Sequence, residues 1–105
     1  MKRSIYNSGN RDDNEPAILD LLNKRNIKWT QLRPGDGADL IVWIDPMIAV
    51  EVKNPDQPKS KRALTESEQD TQAYCQNTHI PYYVIETPED MNEILNIYFA
   101  RLGHG

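Results

Sequence analysis

Asp39-Leu-Ile-Val-Trp-Ile44 and Met47-Ile-Ala-Val-Glu-Val-Lys53 are two apolar, β-branched runs separated by Asp45-Pro46. Runs of this length bounded by turn residues read as strands, and the break between them reads as a hairpin of two central strands. A strand shows residues i and i+2 on one face, so Val50 and Val52 share one side of the second run while Ala49, Glu51 and Lys53 share the other. With the valines in the core, an acid and a lysine stand side by side on what this reading takes as a surface, next to a residue small enough to let something approach.

Working outward, Pro34-Gly-Asp-Gly37 forces a turn before the first run, and Ile27 to Leu32 reads as a short strand or edge segment. Ahead of it, Asp13 and Asn14 are candidate N-caps, Pro16 fits a first turn, and Ile18, Leu19, Leu21 and Leu22 give a helical stripe to about Asn26. After the second run, Asn54 to Arg62 is polar and interrupted by Pro55 and Pro58, which predicts an exposed loop. Thr65-Glu-Ser-Glu68 fits the S/T-x-x-E capping box and opens a helix to about Asn77, with Cys75 at a buried helix position. Tyr82-Tyr-Val-Ile85 reads as another strand. Thr87-Pro-Glu-Asp90 then caps an amphipathic helix through Met91, Ile94, Leu95, Tyr98 and Leu102. The order helix, strands, helix, strand, helix predicts an α/β sandwich. Residues 1–12 lack periodicity and read as a flexible arm, with residues 13–105 as a single domain.

The chain of 105 residues is long enough for one core. No apolar run approaches the roughly 20 residues that cross a bilayer, and no apolar segment follows the basic start, so the expected setting is cytoplasmic, without membrane contact. One cysteine supports neither an internal disulfide nor a Cys-based zinc site. His79 and His104 stand apart from any acid or cysteine at metal spacing and receive no ligand role. The tryptophans and tyrosines read as packing residues, with base stacking by Tyr82 or Tyr83 the less expected role. A net charge of −4 argues against holding nucleic acid by bulk electrostatics, although acids gathered for a divalent metal would produce the same sign.

An acid and a lysine two apart on a strand describe an ordinary ion pair before they describe a site. Asp39 changes the balance, because folding at Asp45-Pro46 returns it to residues 51–53. A two-residue turn pairs Asp39 with Val52 and sends it to the wrong face; an odd connection or a bulge brings it to Glu51 or Lys53. Two carboxylates collected there are relieved by a hard cation, and Mg²⁺ typically takes one or two carboxylates, several waters and a substrate phosphate. Lys53 beside them is placed to orient the attacking water or stabilise phosphate charge. The expected chemistry is phosphodiester hydrolysis.

Gly37-Ala-Asp39-Leu, then Glu51-Val-Lys53, then a helix carrying Gln69 resembles the PD-(D/E)XK nucleases, and within them the virus-type replication-repair nuclease (VRR-NUC) domains related to Holliday junction resolvases. The likeness runs from about Glu15 to Tyr98, with Ala38 standing where the superfamily pattern has proline. It implies a restriction-endonuclease-like core, a mixed central sheet flanked by helices. It also implies Mg²⁺, with Mn²⁺ as substitute, held by Asp39, Glu51 and the backbone carbonyl of Val52, with Lys53 near the water. Relatives often bring an acid from the first helix to the metal, which points to Glu15, on one helical face with Ile18, Leu19 and Leu22; a first-turn acid favoured by the helix dipole is the plainer role. Gln69 corresponds to a position that holds the lysine or the substrate, whereas Glu68 reads as a cap alone. Arg33, Lys59, Lys61 and Arg62 are candidate phosphate contacts, or simply solvated charges.

The resulting expectation is a Mg²⁺-dependent endonuclease acting on branched or flapped DNA, for instance in DNA repair in a bacterial or phage-infected cell, and a homodimer by analogy. The alternatives are a restriction-like or RNA-directed nuclease with the same centre, and an inactive module that binds DNA or protein and keeps the charges as an ion-pair network.

Overall fold

The computed structural model describes residues 14–58, 60 and 63–101. Among the described residues it is a small α/β domain with a four-stranded mixed sheet and three helices. In chain order these are α1 (Glu15–Lys24), β1 (Trp29–Gln31), β2 (Leu40–Val42), β3 (Ile48–Val52), α2 (Glu66–Asn77), β4 (Tyr82–Ile85) and α3 (Pro88–Arg101). Spatial order is β1-β2-β3-β4, antiparallel for the first two pairs and parallel for β3 with β4. No helix among the described residues is long and apolar enough to cross a membrane. The arm assigned to residues 1–12 lies outside the described residues.

Strand periodicity distributes the core to both faces of the sheet. Leu40, Val42, Ile48, Val50, Val52 and Ile85 pack with Ile18 and Leu22 of α1 and with Met91, Ile94, Leu95 and Tyr98 of α3. On the opposite face Ala49 packs with Ala38 and with Cys75 of α2, bordered by Leu32, Ile41, Ile80 and Tyr82. All five positions of β3 are therefore buried. The surface expected around Glu51 and Lys53 is instead a face covered by α2, leaving Glu51 4% and Lys53 8% exposed.

Local chemistry explains the element ends. α1 stops at Lys24, short of the expected Asn26, because Asn26 takes φ 59° and Ile27 N–H turns back to the Leu22 carbonyl at 2.9 Å. Asn14 stands at the N-cap but makes no side-chain cap bond. Its amide donates instead to the carbonyls of Lys53 (3.1 Å) and Glu86, tying the start of α1 to the ends of β3 and β4. The capping box at Thr65 and Glu68 is present as expected. At the start of α3, Asp90 accepts from the N–H groups of Glu86 and Thr87 while Thr87 Oγ1 accepts from Asp90 N–H. Residues 55–58 are exposed, in line with a loop, but Asn54 at its start is buried and its side chain accepts from Asp56 N–H at 2.9 Å; Lys59, Lys61, Arg62, Leu102 and His104 lie outside the described residues.

Candidate metal centre

β2 and β3 are joined by five residues, 43–47, the odd connection that a site at Asp39 requires. Leu40 pairs with Val50, and just before it Asp39 departs from the regular ladder. Its N–H donates to the Val50 carbonyl at 2.9 Å, and its Oδ2 accepts from Val52 N–H at 2.7 Å. The carboxylate thus occupies a ladder position at the end of β2, held by a backbone donor. On its other side Asp39 offers its carbonyl to Leu32 N–H at 2.8 Å, so β1 and β3 fix it between them.

Glu51 and Lys53 leave β3 toward α2. Lys53 Nζ lies 3.3 Å from Glu51 Oε2 and 2.9 Å from Glu68 Oε1. The lysine backbone is pinned as well, its N–H to the Ile85 carbonyl at 2.8 Å and its carbonyl to Asn14. Asp39, Glu51, Lys53 and Glu68 line one cavity of about 200 Å³ with Arg33, Pro34, Gly35, Gly37 and Ala38. Arg33 stands at the rim, its side chain 89% exposed and 3.5 Å from Asp36.

The glycine loop owes its course to α2. Gly37 has φ 92°, and a Cβ there would overlap the Thr71 hydroxyl and come within 3.0 Å of the Ser67 carbonyl. Its own carbonyl accepts from Tyr82 Oη at 2.7 Å. Tyr83 Oη meets Tyr98 Oη at 3.1 Å in an edge-on ring pair. Both phenols considered for base stacking are therefore engaged inside the domain.

Electrostatically, Glu51 and Glu68 share one buried ammonium, with the Asp39 charge acting on Glu51. Burial, then the Asp39 charge, then hydrogen bonding with Glu68 push the Glu51 carboxyl up to about 9 against the pull of Lys53. Burial works against the Lys53 ammonium, yet Glu68 and Glu51 more than offset it and hold its pKa above the ordinary lysine value. Burial likewise opposes ionisation of Glu68, but its bonds to Lys53 and Thr65 keep its carboxylate below the usual range. Without another cation the cluster is best satisfied with a proton on Glu51.

The donor types here are those that a hard divalent ion takes. The donors are carboxylate oxygens, the wall is polar, and burial followed by the neighbouring acids raises the Glu51 pKa, the second of which a cation would relieve. Among the described residues no group of three or more His, Cys, Asp and Glu is arranged to hold a metal by itself. Mg²⁺ does not need one, since water and phosphate commonly complete its shell.

Not every residue expected at the centre lines the cavity. Glu15 is 1% exposed, and its Oε2 accepts from Gln31 Nε2 of β1 at 2.9 Å. Val52 buries its side chain in the core and brings its N–H to Asp39. Gln69, expected to hold the lysine, turns its amide to the Leu64 carbonyl at 3.1 Å; Glu68, expected to be a cap alone, is the residue that reaches Lys53. Adjacent helix positions differ by about 100° in direction, so one residue decides which side chain meets β3. The signal was present in the capping box, whose third helical residue folds back toward the helix start. Compared with family models, with curated proteins and with solved structures, the chain matches none.

Proposed function

We propose that this domain is a metal-dependent endonuclease with a restriction-endonuclease-like core of the PD-(D/E)XK type, cutting DNA of branched or flapped structure. The observation that carries the reading is the convergence of Asp39, Glu51 and Lys53, from two strands, on one polar cavity with Arg33 at its mouth. Asp39 and Glu51 would hold Mg²⁺ or Mn²⁺, which polarises a phosphoryl oxygen and lowers the pKa of a bound water. Val52 N–H holds Asp39 in place, so its carboxylate is oriented before any ligand arrives. Lys53, buried and positively charged, stabilises charge that builds on the phosphate and orients the water. Arg33 is placed to meet a neighbouring phosphate. Glu15, buried at the start of α1, supports the sheet edge through Gln31. A homodimer would let two such small domains engage both arms of a branched substrate.

The test is cleavage of a labelled panel (linear duplex, single strand, flap, four-way junction, RNA) in Mg²⁺, Mn²⁺ or chelator. The reading expects metal-dependent cutting, lost in Asp39→Ala and Lys53→Ala, and the preferred substrate separates DNA from RNA and branched from linear. A pure, folded protein that cuts nothing in either metal sinks it.

One observation favours a second reading, a binding module without turnover: Lys53 is already paired with Glu51 and Glu68. An ion-pair network of that kind needs no metal. That module binds nucleic acid or protein equally well in chelator and in Mg²⁺, whereas the nuclease centre does not.

A further inference from the structure

We propose that Glu68 is a positioning residue for Lys53, acting by joining the lysine to the N-terminal cap of α2. The consequence for turnover rests on the nuclease reading. Glu68 Oε1 accepts from Lys53 Nζ at 2.9 Å and from Thr65 N–H at 2.9 Å, while Glu68 N–H donates to Thr65 Oγ1 at 3.3 Å. One oxygen therefore closes the helix cap and the ion pair together. Where α2 begins decides where the ammonium sits.

The geometry gives this pairing a purpose. Lys53 follows the last residue of β3, its backbone held from the side of β4 and α1, and a four-carbon stem alone would leave its ammonium mobile. Among the described residues the other carboxyl group paired with it is Glu51 at 3.3 Å. Glu51 is the side chain that must take a metal, and a lysine collapsed onto it would hold the place of that cation. Glu68, at the shorter distance and with side-chain exposure of 15%, draws the ammonium to the cavity wall shared with α2. The lysine thus keeps its shorter contact, 2.9 Å, with Glu68 and only the longer one, 3.3 Å, with the carboxyl opposite Asp39.

Helix capping and lysine positioning can be separated, because glutamine also serves at the third helical position of a capping box. Glu68→Gln keeps the cap and removes the charge; Glu68→Ala removes both. Two readouts are needed. The first is a melting cycle in chelator with Glu68→Gln, Lys53→Met and the double variant. We expect the double variant to lose less than the sum of the singles, by about 4 °C or more, as two residues in one network do. The second is steady-state cleavage of the best substrate, where Glu68→Gln should lower kcat about tenfold or more with KM within about twofold.

An additive melting cycle overturns the inference, and so does a Glu68→Gln enzyme that cuts like the wild type. If the wild type itself cuts no substrate, it is the nuclease reading that fails; the melting cycle alone then decides whether Glu68 and Lys53 act as one unit.

Discussion

Asp39 brackets Glu51 from the neighbouring strand, donating its N–H to the carbonyl before Glu51 and accepting at Oδ2 from the N–H after it, at 2.9 and 2.7 Å. Its carboxylate is thus part of the sheet ladder as well as of the cavity wall. The two roles come apart on substitution. Asp39→Asn keeps an oxygen for Val52 N–H and should melt near the wild type, yet lose divalent-metal binding. Asp39→Ala strands that N–H and should cost about 1–3 kcal/mol in addition. Urea unfolding of both variants beside a metal titration separates structure from ligation.

Glu51 makes stability depend on pH. Its carboxyl rises from 4.5 to about 9 on folding, so between those values the native state binds more protons than the unfolded chain. The stabilisation is complete below the unfolded pKa and is lost as pH rises toward 9. Glu68, shifted the other way, contributes above its unfolded pKa and is lost only in acid. In chelator the wild type should therefore weaken from pH 5 to pH 9, and Glu51→Gln should flatten that slope. A wild-type slope unchanged in Glu51→Gln would count against the burial of this acid beside Asp39.

The two glycines of the cavity mouth should respond unequally. Gly35→Ala meets open space and carries only the backbone cost of φ 91°, about 1–2 kcal/mol. Gly37→Ala adds an overlap with Thr71 and should cost roughly 2–4 kcal/mol. Denaturant midpoints for the pair check this; equal losses would mean that α2 does not press on the loop carrying Asp39.

Arg33→Ala should leave stability within about 0.5 kcal/mol, since its side chain is 89% exposed. On the best nucleic-acid substrate it should weaken binding and reduce the salt dependence of log K by about one phosphate contact. Binding isotherms at several salt concentrations provide the measurement, and an unchanged slope removes Arg33 from the interface.

Sequence patterns made the elements legible, because β-branched runs and capping residues act locally. The capping box at Thr65 and the cap at Thr87 stand where their chemistry places them, and the two strand runs hold strands that are shorter than the runs, Leu40–Val42 and Ile48–Val52. Parity reasoning also reached the odd connection between β2 and β3, since one buried face fixes the register. Long-range contacts were less legible. That α2 would cover the Ala49 and Glu51 face follows from tertiary packing, and α2 carries a weak apolar stripe with Cys75 as its buried residue. Asn14 has the residue type of a cap, but the carbonyls of Lys53 and Glu86, 39 and 72 residues away, take its amide. Glu68 was recognised as a cap, and its second bond depends on a lysine 15 residues earlier.

Metal binding tests the central claim most directly, because it requires no choice of substrate. Titration of the metal-free protein with Mn²⁺, followed by the loss of the free-ion electron paramagnetic resonance signal, should show one site per chain. That site should vanish in Asp39→Asn and in Glu51→Gln, and persist in Lys53→Met. Wild-type protein that leaves the Mn²⁺ signal unchanged, or an Asp39→Asn variant that binds as the wild type does, would contradict a metal centre at Asp39 and Glu51.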